Sequence, residues 1–263
     1  MEMSGDEILC LFACCYLVIF GWGPWCSWVL NNNDFGRHLA VRAAAIVVPV
    51  LAFAGLFAVL RTAAAHDVRD SGLYTFFYLI MGAAWLRVVV VGLGNCMGLV
   101  LRDDWIERGN PAAAICGAGL LFGGMAAFAG GNIGDGPGWW VVIFSAALST
   151  GAMFLGLVFL NLAADVIERI TVGRDVSLAV RTGAYLLMAG VIAGRAVAGD
   201  WVSAGATVSD FAAAAWPLLA ITATLCCVEF VFRRSRLSLG ASGLFAAVEL
   251  GCAAYFLVWA GAW

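Results

Sequence analysis

Hydrophobic residues fall into eight long runs separated by short polar stretches. The runs cover residues 8–30, 38–61, 73–101, 111–130, 138–164, 178–198, 208–232 and 241–262. Each is long enough to cross a ~30 Å hydrocarbon core as a helix. The pattern predicts an all-α, polytopic integral membrane protein with about eight transmembrane helices. The third run is rich in glycine and holds Arg87, so a re-entrant path there would lower the count by one. Pro217, directly after Trp216, predicts a kink in the seventh helix.

The polar stretches repeat. Asp104-Trp105-Ile106-Glu107-Arg108 returns as Asp165-Val166-Ile167-Glu168-Arg169, and the apolar runs that follow close on Gly134-Asp135 and Gly199-Asp200. A period of roughly 60–75 residues is too long for a solenoid unit and suits two membrane helices with their loops. An even number of helices per unit keeps every copy pointing the same way, so the repeats are parallel two-helix hairpins. Residues 1–101 then form an N-terminal region of three helices with a diverged copy, and 102–263 form the repeat region of helices four to eight. Two tandem four-helix domains meeting near 131–138 are the other division the sequence allows. Aligning the starts of the even helices puts Ala40, Ala114, Ala179 and Ala247 in one column. Ala44, Ala118, Gly183 and Gly251 follow four residues later, a small-xxx-small spacing that lets helix backbones approach in lipid.

Composition fits this picture: 63% of residues are hydrophobic and 12% charged, far from the balance of a soluble domain. Arginine placement sets orientation. Arg37, Arg42, Arg102, Arg108, Arg169, Arg174, Arg181, Arg233, Arg234 and Arg236 fall on one side, and only Arg61, Arg69 and Arg195 on the other. The positive-inside rule puts the first group inside and both termini outside. Trp139, Trp140, Trp201 and Trp263 then mark the outer interface and Trp25, Trp28 and Trp105 the inner one. Residues 1–7 are acidic, without the basic region of a secretory signal, so the first run reads as a retained helix.

Several function classes drop out. A net charge of −3 with scattered arginines gives no basic stripe for nucleic acid. The chain has no lysine, which excludes a retinal Schiff base. Most of the nine cysteines sit inside apolar runs without CxxC spacing, and His38 and His66 lie on opposite sides of a span, so neither metal nor cofactor is expected. Ser145, Ser149 and Thr150 have no histidine base nearby, which argues against a serine-nucleophile enzyme.

Asp104–Arg108, running into Gly109-Asn110-Pro111-Ala112-Ala113-Ala114-Ile115, resembles the domain-of-unknown-function-350 family of bacterial inner-membrane proteins. An acidic-basic turn leads there into a GNxAxA-type helix start, in tandem copies. The resemblance covers the chain from helix three onward. In the second copy Asp175 stands in place of the Asn, and Gly36 and Gly243 stand there in the outer copies. The resemblance implies an integral inner-membrane protein with no assigned activity and no agreed catalytic residues.

Ionisable groups within a bilayer are costly and are candidate functional residues. Arg87 lies midway along helix three, Glu249 two turns into helix eight and Glu229 near the inner end of helix seven, with Asn95 and Asn161 in inner halves of their helices. The repeat column carries Arg42, Cys116, Arg181 and Glu249 at one depth. Glu249 is therefore expected to neutralise Arg42 or Arg181, with Arg87 approaching from above. Such a cluster serves either an ion or proton pathway or interhelical ion pairing, with Arg42 and Arg181 snorkelling to headgroups. Asp104, Glu107 and Arg108, and Asp165, Glu168 and Arg169, read as salt-bridged surface turns or as a docking site. Asn110 and Asp175 read as helix N-caps. The leading expectation is a non-enzymatic membrane protein for small-ion or solute permeation. The alternative is a scaffold or stress-related protein that docks a cytoplasmic partner through its arginine-rich loops. Lipid bilayer is the expected environment, and small-residue faces suit a homo-oligomer as well as internal packing.

Overall fold

A computed structural model describes residues 3–30, 39–233, 235 and 237–259. Readings that involve Arg37, His38, Arg234, Arg236 and Trp263, and the Gly36 position, fall outside the described residues.

The chain is helical, with no strand among the described residues. The helices are α1 (Gly5–Leu30), α2 (Leu39–Thr62), α3 (His66–Asp70), α4 (Gly72–Trp85), α5 (Val91–Cys96), α6 (Pro111–Gly130), α7 (Trp139–Ala164), α8 (Val166–Thr171), α9 (Val176–Ala196), α10 (Ala204–Ala214), α11 (Trp216–Val231) and α12 (Leu239–Trp259). A π-helical stretch, Leu86–Val90, fuses α4 to α5, and a second covers Arg102–Glu107. Seven helical segments are long and apolar enough to span a membrane, and α10 with α11 makes an eighth, bent by 49° at its break. The eight runs therefore appear at their expected places. The broken span is the seventh, at Pro217, while the third is continuous over Gly72–Cys96. It stops short of residue 101 because the chain turns at Gly98, whose φ of +90° favours glycine.

The span starts are capped from the sequence. Asn110 and Asp175 accept hydrogen bonds from the Ala112 and Leu178 amides, and Ser71 and Ser203 do the same for Tyr74 and Ala206. Each satisfies an amide that has no carbonyl partner in the first turn.

The even-numbered spans α2, α6, α9 and α12 pack side by side in that order; α4 packs on α1 and α2, α7 on α6, α9 and α11, and Trp85 of α4 donates to Thr150 of α7. The centre is the contact between α6 and α9. At one end Asn110 donates to the Ile170 and Thr171 carbonyls. At the other, the Gly199 amide donates to Ile133 and the Trp201 amide to Asp135, while Asp200 accepts from the Asp135 amide. The two helices therefore run parallel, and the two Gly-Asp pairs touch. Between these ends backbone lies on backbone. A Cβ on Gly119 or Gly123 would strike the Gly183 or Leu186 carbonyl, and one on Gly190 or Gly194 the Gly123 or Ala126 carbonyl. Of the expected small-residue column, Gly183 is at this contact, but Gly251 faces open space.

Helix irregularities free carbonyls that must find donors inside the protein, because hydrocarbon offers none. Pro49 lacks an N–H, which leaves the Ala45 carbonyl without its helical partner. Trp25 Nε1 donates to it at 2.9 Å. Trp105 Nε1 donates to Val41 one turn away at 2.6 Å, and Trp22 Nε1 donates to Ala83 at the α-to-π junction at 3.0 Å. Trp25 and Trp105 are thus buried at 2% and 0% exposure, edge to face with each other. They lie at the expected end, but they staple helices together in place of forming a lipid-facing belt there. Trp28 stays half-buried, under the Arg102 guanidinium.

Trp25→Phe is expected to lower stability by about 1 kcal/mol, and most of that loss should vanish in Pro49→Ala, where Ala45 regains a backbone donor. A double-mutant cycle read by unfolding in detergent checks this; strictly additive effects would contradict the pairing.

Candidate intramembrane charge site

Three spans converge on the charges. Arg181 lies one and a half turns into α9, Glu229 near the end of α11 and Glu249 midway along α12. Arg181, Tyr185, Met188 and Ile192 share one face of α9. Leu218, Thr222, Leu225 and Glu229 form the buried face of α11, and Ser242, Ala246, Glu249, Ala253 and Phe256 that of α12.

Arg181 is 2% exposed and forms a forked pair with Glu229: Nε donates to Oε1 at 2.5 Å and Nη2 to Oε2 at 2.9 Å. Its Nη1 donates to the Ser242 hydroxyl and the Ser177 carbonyl. Ser242 in turn donates to the Ser238 carbonyl. The planar guanidinium fits a bidentate carboxylate, and its bonds to Glu229 and the Ser242 hydroxyl are buried. Arg169 stands behind the pair, 3.8 Å from Glu229 and 3.3 Å from Asp175.

Glu249 is different. It is 3% exposed, and among the described residues neither carboxyl oxygen has a hydrogen-bond partner. Arg181 and Glu229 are the charges within electrostatic reach of it, and the Tyr185 hydroxyl, which pairs with Thr222 at 2.9 Å, faces the same space. The expectation that Glu249 neutralises Arg181 or Arg42 is therefore corrected. Arg181 is taken by Glu229, a residue outside the repeat column. Among the described residues two arginines, Arg169 and Arg181, face three carboxyls, Asp175, Glu229 and Glu249, which leaves one carboxyl in excess.

No family model, curated protein or solved structure matches this chain.

The remaining candidates disperse. Arg87 does not approach Glu249. It lies half-buried in the π-helical stretch, and its Nε donates to the Gly21 carbonyl at 3.0 Å, in the turn that Pro24 opens. Gly21 leaves the room for it, since a Cβ there would come within 2.5 Å of Arg87 Cγ. Arg42 is 1% exposed, with Nε and Nη1 unbonded among the described residues, so it does not snorkel outward. Cys116 is buried at the core of α6. Asn95 is exposed at the end of α5, away from the cluster, and Asn161 caps α8 by accepting from the Ile167 amide.

The two DxIER copies differ in their charges. Asp104 is buried and paired with Arg108 at 2.8 Å; burial pushes its carboxyl above the ordinary range and Arg108 draws it part of the way back. Glu107 pairs with Arg102 at the surface. In the second copy Asp165 is half-buried, has φ of +50° and pairs with Arg233, while Glu168 is exposed. The copies agree in Trp105-Ile106 and Val166-Ile167, all buried. No group of three or more His, Cys, Asp or Glu able to hold a metal occurs among the described residues.

Removing one member of a buried pair strands the other charge, at about 3–5 kcal/mol. Glu229→Gln is expected to fall in that range by thermal unfolding in detergent, whereas Glu249→Gln, which breaks no hydrogen bond, should stay within about 1 kcal/mol of the parent. The reverse order would contradict the assignment.

Proposed function

We propose that this protein is a non-enzymatic membrane carrier in which Glu249 takes up and releases a proton or small cation. The observation that carries this reading is the carboxyl itself: buried within a span, unbonded at both oxygens among the described residues, and beside a cation already neutralised by Glu229. An ionisable group in hydrocarbon is costly unless it is paired or used. The Arg181–Glu229 fork holds α9 to α11 and supplies the fixed framework. Asp175 and Arg169 extend that framework to the arginine-rich end of the bundle. Arg87, engaged with Gly21, is left out of the path.

The arginine-rich end faces the cytoplasm under the positive-inside rule, with both termini outside. The setting is the bacterial inner membrane implied by the resemblance to the domain-of-unknown-function-350 family. Docking of a cytoplasmic partner through the arginine loops gains no specific support, since Arg233 is already paired with Asp165.

Flux through purified protein in liposomes, driven by an imposed potential and read by internal proton- and sodium-sensitive dyes, tests the proposal. The expected result is flux above protein-free liposomes, lost in Glu249→Gln and retained in Arg87→Ala. Wild-type flux equal to that of empty liposomes, or undiminished in Glu249→Gln, would overturn it.

A further inference from the structure

The duplicated Gly-Asp pairs take no part in the charge site. They wall a small chamber of about 40 Å³ at the end of the bundle away from the arginine-rich loops. One water-sized body needs ~10–15 Å³, so the chamber has room for a few. The wall is held firmly. Gly134, with φ of +98°, lies against Gly199, where a Cβ on Gly134 would strike the Gly199 backbone. The Gly199 and Trp201 amides donate to the Ile133 and Asp135 carbonyls, and the Asp200 carboxylate accepts from the Asp135 amide.

Oxygen-bearing side chains line the chamber. They are Asp67 of α3, Tyr78 of α4, Asn132 and Asp135 between α6 and α7, Ser145 of α7 and Thr207 of α10, with no basic residue among them. Asp67 and Asp135 are exposed and stand at the rim, whereas Tyr78, Asn132 and Ser145 are buried and form the floor. Asp67 is the strongest of the charges acting on the Tyr78 hydroxyl, so rim and floor lie within electrostatic reach of each other.

Asn132 is the residue that calls for a ligand. It is 4% exposed, its Nδ2 donates to the Phe128 carbonyl at 2.9 Å, and its main-chain amide and carbonyl bond to Ala129 and Ala65. Oδ1 alone has no partner among the described residues. Turning the amide over would set that oxygen against the Phe128 carbonyl, which fixes its orientation. A buried acceptor without a donor is costly, and a cation at the chamber floor removes that cost. Two carboxylates with neutral oxygens and no basic neighbour match a divalent charge. The mixed set of carboxylate, carboxamide and hydroxyl oxygens suits the irregular shell of calcium better than the strict octahedron of magnesium.

We propose that this chamber binds a calcium-sized divalent cation through Asp67, Asn132 and Asp135, with hydroxyls and water completing the shell. The ion ties α3 to the joined Gly-Asp turns that follow α6 and α9. The site is independent of the carrier reading, which concerns the other end of the bundle.

Equilibrium dialysis of radioactive calcium against the full chain in phosphatidylcholine nanodiscs, corrected with empty nanodiscs, tests this. The expected result is one saturable site per chain with a Kd of about 0.1–1 mM, the range of sites with few carboxylates, that a tenfold excess of sodium does not displace. Affinity should fall at least tenfold in Asp67→Asn and in Asp135→Asn, and binding should be lost in Asn132→Leu. Asp70→Asn, whose carboxyl pairs with His66 outside the chamber, should bind as the parent does. Should Asn132→Leu fail to fold, the two variants at exposed carboxyls decide the matter. No saturable binding, parental affinity in Asp67→Asn and Asp135→Asn, or displacement by sodium would overturn the proposal.

Discussion

The constraint on which the structure depends is that a polar group in hydrocarbon has to find its partner within the protein. It explains features that have no common sequence motif. Pro49 would leave the Ala45 carbonyl bare, and the Trp25 indole occupies it, while Trp22 and Arg87 donate to the Ala83 and Gly21 carbonyls of neighbouring helices. Ser149 does likewise between α7 and α6, donating to the Ala127 carbonyl. The tryptophans that would ordinarily mark a membrane interface are drawn inward because their N–H groups are needed there. Glycines along α6 and α9 follow from the other half of the same problem. Without a hydrophobic drive between helices in lipid, association comes from close approach of backbones, and Gly119, Gly123, Gly190 and Gly194 permit it.

Seen against that economy, Glu249 stands out by chemistry. Among the buried carboxyls of the described residues, Asp104 has Arg108, Asp175 has Arg169 and caps α9, and Glu229 has Arg181. Glu249 has no such bond. A fold that meets carbonyls on several helices with indole, guanidinium and hydroxyl donors leaves this group open next to a fully answered ion pair. The contrast between a structural pair and an open carboxyl, held on the same three spans, underlies the proposed carrier role.

Much of the fold was legible in the sequence because it rests on local rules. Span length, the Pro217 break and the Asn110 and Asp175 caps each depend on a few neighbouring residues, and each appeared where expected. Parallel α6 and α9 followed from the period between the DxIER copies. The site was legible only in its membership. Arg181, Glu229 and Glu249 were recognisable as charges inside spans, but the partner of Arg181 was not, since Glu229 is 48 residues away on a different helix and repeat alignment favoured Glu249. The signal available was the face Leu218, Thr222, Leu225 and Glu229, which puts a hydroxyl and a carboxyl on one side of α11. Arg87 misled for a related reason: depth in a span was visible, while the carbonyl waiting beside Gly21 on α1 was not. The DxIER repeat served as a ruler for the hairpins, and its shared part proved to be the buried apolar pair in its middle.

The central claim is that Glu249 is chemically open while Glu229 is closed by Arg181. Treatment of the protein in liposomes with dicyclohexylcarbodiimide, which attacks intramembrane carboxyls free of an ion pair, followed by peptide mass spectrometry, tests it most directly. The expected result is an adduct on Glu249 with Glu229 unmodified. An adduct on Glu229 in preference, or none on Glu249, would contradict it.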